Sequence, residues 1–159
     1  MRKIWNRPAY PVWSLATNDG AGEGNFNICT YVTPMSLQPK MMMVALYHHT
    51  KTLENARKTE TAVLQLLTES HADIVRTCGR PSGRAVDKIA RVSKKHEIKK
   101  VGDFPYFADC AGYMELSFVD FQEVGADHVL GVAKVTRSKN LSDEAILTTD
   151  YLKEHNIIR

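Results

Sequence analysis

Cysteine is scarce in this chain: Cys29, Cys78 and Cys110 are the only three among 159 residues. An odd number with no CxxC spacing speaks against a disulfide scaffold and a structural zinc site, so a reducing cytoplasm is the expected setting. Long apolar runs are missing as well. The longest covers residues 41–47, whereas a bilayer span needs about 20, so no membrane crossing is expected. The basic start, Met1-Arg2-Lys3, has no apolar segment behind it, and a signal peptide is not expected. No HExxH, GxSxG, Walker loop or GxGxxG occurs, which removes the common signatures of zinc proteases, serine hydrolases, P-loop enzymes and dinucleotide folds. The six histidines have no ligand spacing, and adjacent His48 and His49 on a strand would point to opposite faces, so no metal site is expected. Repeats and low-complexity stretches are absent too.

What remains is ordinary globular material. Apolar residues make 43% and charged residues 25%, in a length that suits one domain spanning 1–159. The net charge is only +3, but residues 84–100 hold seven cations against Asp87 and Glu97. That segment reads as a solvated helix face or as a lure for a phosphorylated ligand. A dedicated nucleic-acid binder is not expected, because clustered aromatics with basic spacing are missing.

Short elements with turn signals between them predict a mainly β domain, α+β by content. Strands are expected at 12–17, 27–33, 41–46, 61–67, 112–124 and 128–136, about six in all. Asn18-Asp19-Gly20 supplies a hairpin turn after the first. Residues 41–46 read as a strand buried on both faces. Helices are expected from Thr52, after a Ser70 cap, around 86–93, and over 142–154. The sum is a β-barrel with helical excursions.

Two stretches carry chemistry. In Tyr47-His48-His49-Thr50-Lys51-Thr52 a strand gives way to a helix within a few residues. Free N–H groups and the positive dipole end of a helix make a phosphate seat, and Thr50, Lys51 and Thr52 add hydroxyls and an ammonium. The stretch also reads as a plain capped turn. Asn27-Ile28-Cys29-Thr30-Tyr31-Val32-Thr33 is polar for a core strand and would let a flat ligand lie against the backbone, or else forms a wet edge.

These stretches, together with Val63-Leu64-Gln65-Leu66-Leu67, the Gly79-Arg80-Pro81-Ser82-Gly83-Arg84-Ala85-Val86-Asp87-Lys88 loop and Asp127-His128, resemble the flavin reductase-like family with the FMN-binding split-barrel fold, over residues 11–135. Thr30, Pro34 and Cys29 depart from that family's usual residues. The resemblance implies a homodimer binding FMN, or FAD. By position, Asn27, Ile28, Cys29 and Thr30 would line the ring and ribityl chain, with Ser36 nearby. His48, His49, Thr50, Lys51 and Thr52 would hold the phosphate end, with Arg84 or Lys88 as a further contact. His128 would stand beside the flavin as the catalytic-site histidine where nicotinamide binds. Hydride transfer from NADH or NADPH to flavin is the implied reaction, with a monooxygenase or another electron acceptor as partner. A flavin-binding electron carrier without its own nicotinamide site is the alternative. Trp13 and Tyr31 are expected in the core rather than on a ring, and Cys29 as a small packed residue rather than a redox-sensitive thiol.

Overall fold

The computed structural model describes residues 3–159; Met1 and Arg2, the start of the basic N-terminal segment, lie outside the described residues. Nine strands and four α-helices follow one another along the chain. They are β1 (Trp13–Asn18), β2 (Gly24–Cys29), β3 (Val32–Leu37), β4 (Lys40–Tyr47), α1 (Lys51–Thr59), β5 (Thr61–Leu66), α2 (Ile74–Gly79), α3 (Lys88–Val92), β6 (Ile98–Val101), β7 (Phe104–Phe107), β8 (Gly112–Glu123), β9 (His128–Asn140) and α4 (Thr149–Glu154). Seven strands form one antiparallel sheet in the order β2-β1-β5-β8-β9-β4-β3, and β6-β7 form a separate hairpin.

Three expectations change. The strand count rises from about six to nine, because the polar stretch after Asn27 is two strands broken at Thr30 and Tyr31, and because a small hairpin stands in the basic segment. The barrel is not closed: among the described residues no ladder joins β2 to β3, the two ends of the sheet. Finally, β4 is not buried on both faces. Met42, Val44 and Leu46 are buried, while Met41, Met43 and Ala45 are half-exposed, the alternation of a sheet with one covered face.

Smaller boundaries shift for local reasons. The β1–β2 connection is a five-residue loop in which the Asp19 carboxylate accepts from the Ala21 and Glu23 amides at 2.8 and 3.0 Å. The helix expected after Ser70 starts instead with a 3-10 turn at Glu69–His71, where Thr68 caps and His71 closes the capping box. The closing helix shortens to α4 because Thr148 is the residue whose hydroxyl accepts from a first-turn amide.

Burial divides into two cores. Ala16, Phe26, Val63, Leu67, Ile74, Cys78 and Phe107 belong to one, under α2, α3 and the β6–β7 hairpin. Leu15, Val44, Leu46, Leu53, Leu64, Phe118 and Val129 belong to the other, with α1. The strands β1 and β5 divide them, since neighbouring side chains such as Leu15 and Ala16 point to opposite cores.

Candidate functional site

A cavity of about 660 Å³ opens beside the end of β2. Its floor is the end of β2 and the turn beyond it, Asn27, Ile28, Cys29, Thr30 and Tyr31. One wall is the β4–α1 junction from Tyr47 to Thr52; the other is the Gly79-to-Gly83 loop with Lys88, and His128 stands at the start of β9. The candidates drawn from three distant parts of the sequence are therefore brought together.

The phosphate-seat wall forms for local reasons. His49 takes a left-handed backbone (φ +61°), which turns the chain sharply out of β4. Thr50 then caps α1, its hydroxyl donating to the Tyr47 carbonyl at 2.8 Å and accepting from the Leu53 amide at 3.2 Å. The first-turn amides of Lys51 and Thr52 have no intrahelical acceptor and face a nine-residue helix dipole. Because they sit in the turn and not on a strand, His48 and His49 both border the cavity, contrary to the expectation of opposite faces. The Thr52 hydroxyl is buried and accepts from the Asn25 amide group at 3.1 Å, so it braces the wall from behind.

The opposite wall is dry around Lys88, while Gly79, Arg80 and Ser82 on it are exposed. Lys88 is 5% exposed, and its ammonium donates to the Cys78 carbonyl at 2.7 Å. Among the described residues no carboxylate forms an ion pair with it. Burial pulls its pKa down, opposed by the neighbouring Cys78 and Cys29 thiols. Those thiols are themselves pushed up to about 12 by burial. Cys29 is thus a packed thiol with little thiolate character, as expected. A buried cation with one neutral acceptor has two N–H donors left for a ligand.

At the rim, His128 Nδ1 lies 2.6 Å from the Asp127 carboxylate. A carboxylate only accepts, so Nδ1 carries the proton of that bond. That bond holds the Asp127 carboxyl below its ordinary range. The rings of Tyr31 and Tyr47 meet His128 edge-on at 5.4 and 5.2 Å. Tyr31 is 56% exposed, which corrects its expected place in the core; Trp13 is half-buried against the α1-side core.

Two expected contacts stand elsewhere. Ser36 pairs with Met41 near the far end of β3 and does not line the cavity, because five extended residues carry it roughly 16 Å beyond Tyr31. Arg84 is not among the lining residues either. It clasps the loop to α1, donating to the His49 carbonyl at 2.7 Å and pairing with Glu54. The rest of the basic segment is spread over α3, the turn after it and β6, and only Lys88 is buried among its cations, so it does not form a single helix face. Sequence reasoning gave no role to Arg80, Pro81 and Ser82 individually, which line the cavity because α2 ends at Gly79. Among the described residues no helix is long and apolar enough to cross a membrane.

Comparison with known proteins agrees with this geometry. A protein named "probable flavin reductase" from Rhizobium meliloti (strain 1021) is 27% identical over 140 residues, 88% of this chain and 43% of the relative. The chain thus spans less than half the length of the curated relative it matches. The NADH:FAD oxidoreductase of Streptomyces globisporus C-1027 superposes with a TM-score of 0.79 at 13% identity, covering 92% of this chain and 85% of that one. A nitrilotriacetate monooxygenase component B homolog from Mycobacterium thermoresistibile gives 0.78 at 14% identity, covering 91% and 78%. At such identities the likeness is one of fold. The family model described as "flavin reductase like domain" matches residues 5–151. With that model covering nearly the whole chain, this protein belongs to the flavin reductase-like domain family.

Proposed function

We propose that the cavity binds a flavin, FMN in the first instance, and that the protein is an NAD(P)H:flavin oxidoreductase in which nicotinamide gives a hydride to that flavin. The observation that carries the reading is Lys88: a buried ammonium without a carboxylate partner, on the wall of a cavity whose other wall is a helix N-terminus. Both walls suit an anionic, electron-rich ligand. A flavin held there supplies the hydride acceptor, which accounts for a site with no nucleophile or acid–base triad.

The chain's own residues bind and orient. The Lys51 and Thr52 amides and the Lys51 ammonium take the phosphate. The backbone of Asn27, Ile28, Cys29 and Thr30 faces the ring system, and the Lys88 ammonium offers its remaining donors to the ring's polar edge or the ribityl chain. His128, steadied by Asp127, and the rings of Tyr31 and Tyr47 bound the space left for nicotinamide. Either a monooxygenase or another oxidant consumes the electrons. A homodimer is also proposed, supported by the apolar side chains of Met35, Leu37 and Tyr47 exposed on the β3–β4 hairpin.

The test is the visible absorption spectrum of the protein mixed with FMN or FAD, followed by NADH or NADPH under argon. Perturbed flavin bands that bleach on NAD(P)H addition are the expected result. Flavin that binds yet stays oxidised would convert the reading to the electron carrier without a nicotinamide site. Failure to bind either flavin would overturn it.

A further inference from the structure

Outside the lining of the cavity, His71, His96 and Asp109 come together although they lie 25 and 13 positions apart in sequence. One ligand atom from each lies within 4.8 Å of the others. His71 is fully buried, with its Nε2 3.0 Å from Asp109 Oδ1. The side chain of His96 is 9% exposed, and its ring stacks on His71 at 5.1 Å between centroids. Phe107 meets both rings edge-on, at 4.9 and 5.7 Å. Only Asp109 opens to solvent, its side chain 57% exposed, and it is the route by which an ion would enter.

We propose that this cluster is a binding site for a divalent transition-metal ion of the zinc class. Two imidazole nitrogens and one carboxylate oxygen are the donor set such borderline ions select, whereas magnesium and calcium prefer oxygen alone. Both histidines are also held from behind, as ligating histidines are. His71 Nδ1 lies 2.9 Å from the Thr68 hydroxyl, and His96 Nε2 lies 2.9 Å from Asp73 Oδ1. Those contacts leave His71 Nε2 and His96 Nδ1 as the ligating nitrogens. In the metal-free arrangement the Thr68 amide donates to His71 Nδ1, so the ring proton sits on Nε2 and binds Asp109. Metal binding takes the other neutral tautomer: the proton moves to Nδ1 and bonds to the Thr68 hydroxyl, the Thr68 amide gives up Nδ1 as its acceptor, and Nε2 and the Asp109 carboxylate turn to the ion. No net proton is released at His71. Tetrahedral ligands about 2.0–2.1 Å from zinc are roughly 3.3 Å apart, so the widest gap closes by about 1.5 Å. Rotation of the half-exposed Asp109 and of His96 supplies that movement. Water fills the open position.

The consequence is a clasp. The segment after α3 and the loop after β7 are the two ends of the β6–β7 hairpin, where the Ala108 amide donates to the Glu97 carbonyl at 3.0 Å, and the ion would pin that hairpin to the turn before α2. The site does not depend on the flavin reading.

Isothermal titration of the chelator-treated full chain with zinc chloride tests it, with magnesium chloride as the comparison. The expected result is one zinc per chain, no magnesium heat, and a higher melting temperature with zinc present. His96→Ala and Asp109→Asn should each weaken zinc at least tenfold while flavin binding stays as in the parent. These two positions are chosen because His71 is buried and its replacement could unfold the protein. Cobalt(II) absorption of tetrahedral intensity in the parent, lost in His96→Ala, would support the assigned ligands. Absence of zinc binding, or binding undiminished in both variants, overturns the proposal.

Discussion

The two walls of the cavity hold a charge in opposite ways. Lys51 sits at a helix start, partly exposed, 3.4 Å from Glu54 and surrounded by hydroxyls and free amides. Lys88 sits in the dry wall, 5% exposed, against two thiols and a carbonyl. Screening makes the first a weak, adjustable contact. Desolvation makes the second costly until an electron-rich group arrives, and strong once it does. A ligand that touches both is steered by one wall and gripped by the other.

The sharpest way to break this contrast is Lys88→Met. Charge-assisted hydrogen bonds are worth about 1.5–3 kcal/mol, so flavin affinity should fall roughly ten- to a hundredfold, read by fluorescence titration. The flavin-free protein should lose no stability, because an uncompensated buried ammonium has been removed. The pH dependence supplies a check on sign. Burial lowers the Lys88 pKa below its ordinary 10.5, so above the folded-state value the unfolded chain binds more protons at this position. This contribution is fully unfavourable below the folded-state pKa and is relieved as pH rises towards 10.5. Cys29, Cys78 and Cys110, raised to about 12, 12 and 11 from 9, act in the opposite direction above pH 9. The measurement is therefore the difference between parent and variant denaturation curves across the alkaline range. A difference that does not shrink as pH rises would contradict the dry-wall account.

Asp127→Asn addresses the rim. It should slow flavin reduction by NADH about tenfold, through loss of the His128 orientation, with flavin affinity unchanged. Stopped-flow bleaching measures it, and Asp127→Glu should restore part of the rate. Thr50→Ala addresses the wet wall. Loss of an N-cap costs about 1 kcal/mol of folding stability, and flavin affinity should drop only a few-fold, since the amides stay in place. The smallest effect is expected from thiol reagents. Cys29 and Cys78 should resist labelling at pH 8 in the native protein and react once it is unfolded, because their thiolates are suppressed by burial.

The same contrast explains what could be read from the sequence. The wet wall is contiguous, and Thr50 ahead of a helical stretch is a local capping signal, so residues 47–52 were legible from their order alone. The dry wall joins Cys29, Cys78 and Lys88 from three elements; the family resemblance placed Cys29 and Lys88 at the site and gave Cys78 no place there. Lys88 looked like one cation among seven; nothing in its neighbours says that α3 turns it inward. The gap in the sheet was invisible as well, because Thr30 and Tyr31 are ordinary strand residues and only the pairing of β3 with β4 shows that the chain has left β2. Met41 to Tyr47 misled for a related reason: an apolar outer face reads like a second buried one. The His71 cluster was the least legible, since its members share no motif and meet only through tertiary packing.

One feature of the frame reaches beyond the cavity. Every residue of β1 after Trp13 is buried, and the strand packs against both cores at once. Neither half of the molecule can open without stripping one face of that strand. Amide hydrogen exchange should accordingly find β1 and β5 as the slowest elements, leaving together and only by global unfolding, while the β6–β7 hairpin exchanges earlier through local openings. The open-edged sheet is thus carried on a pair of central strands built to come apart in a single step.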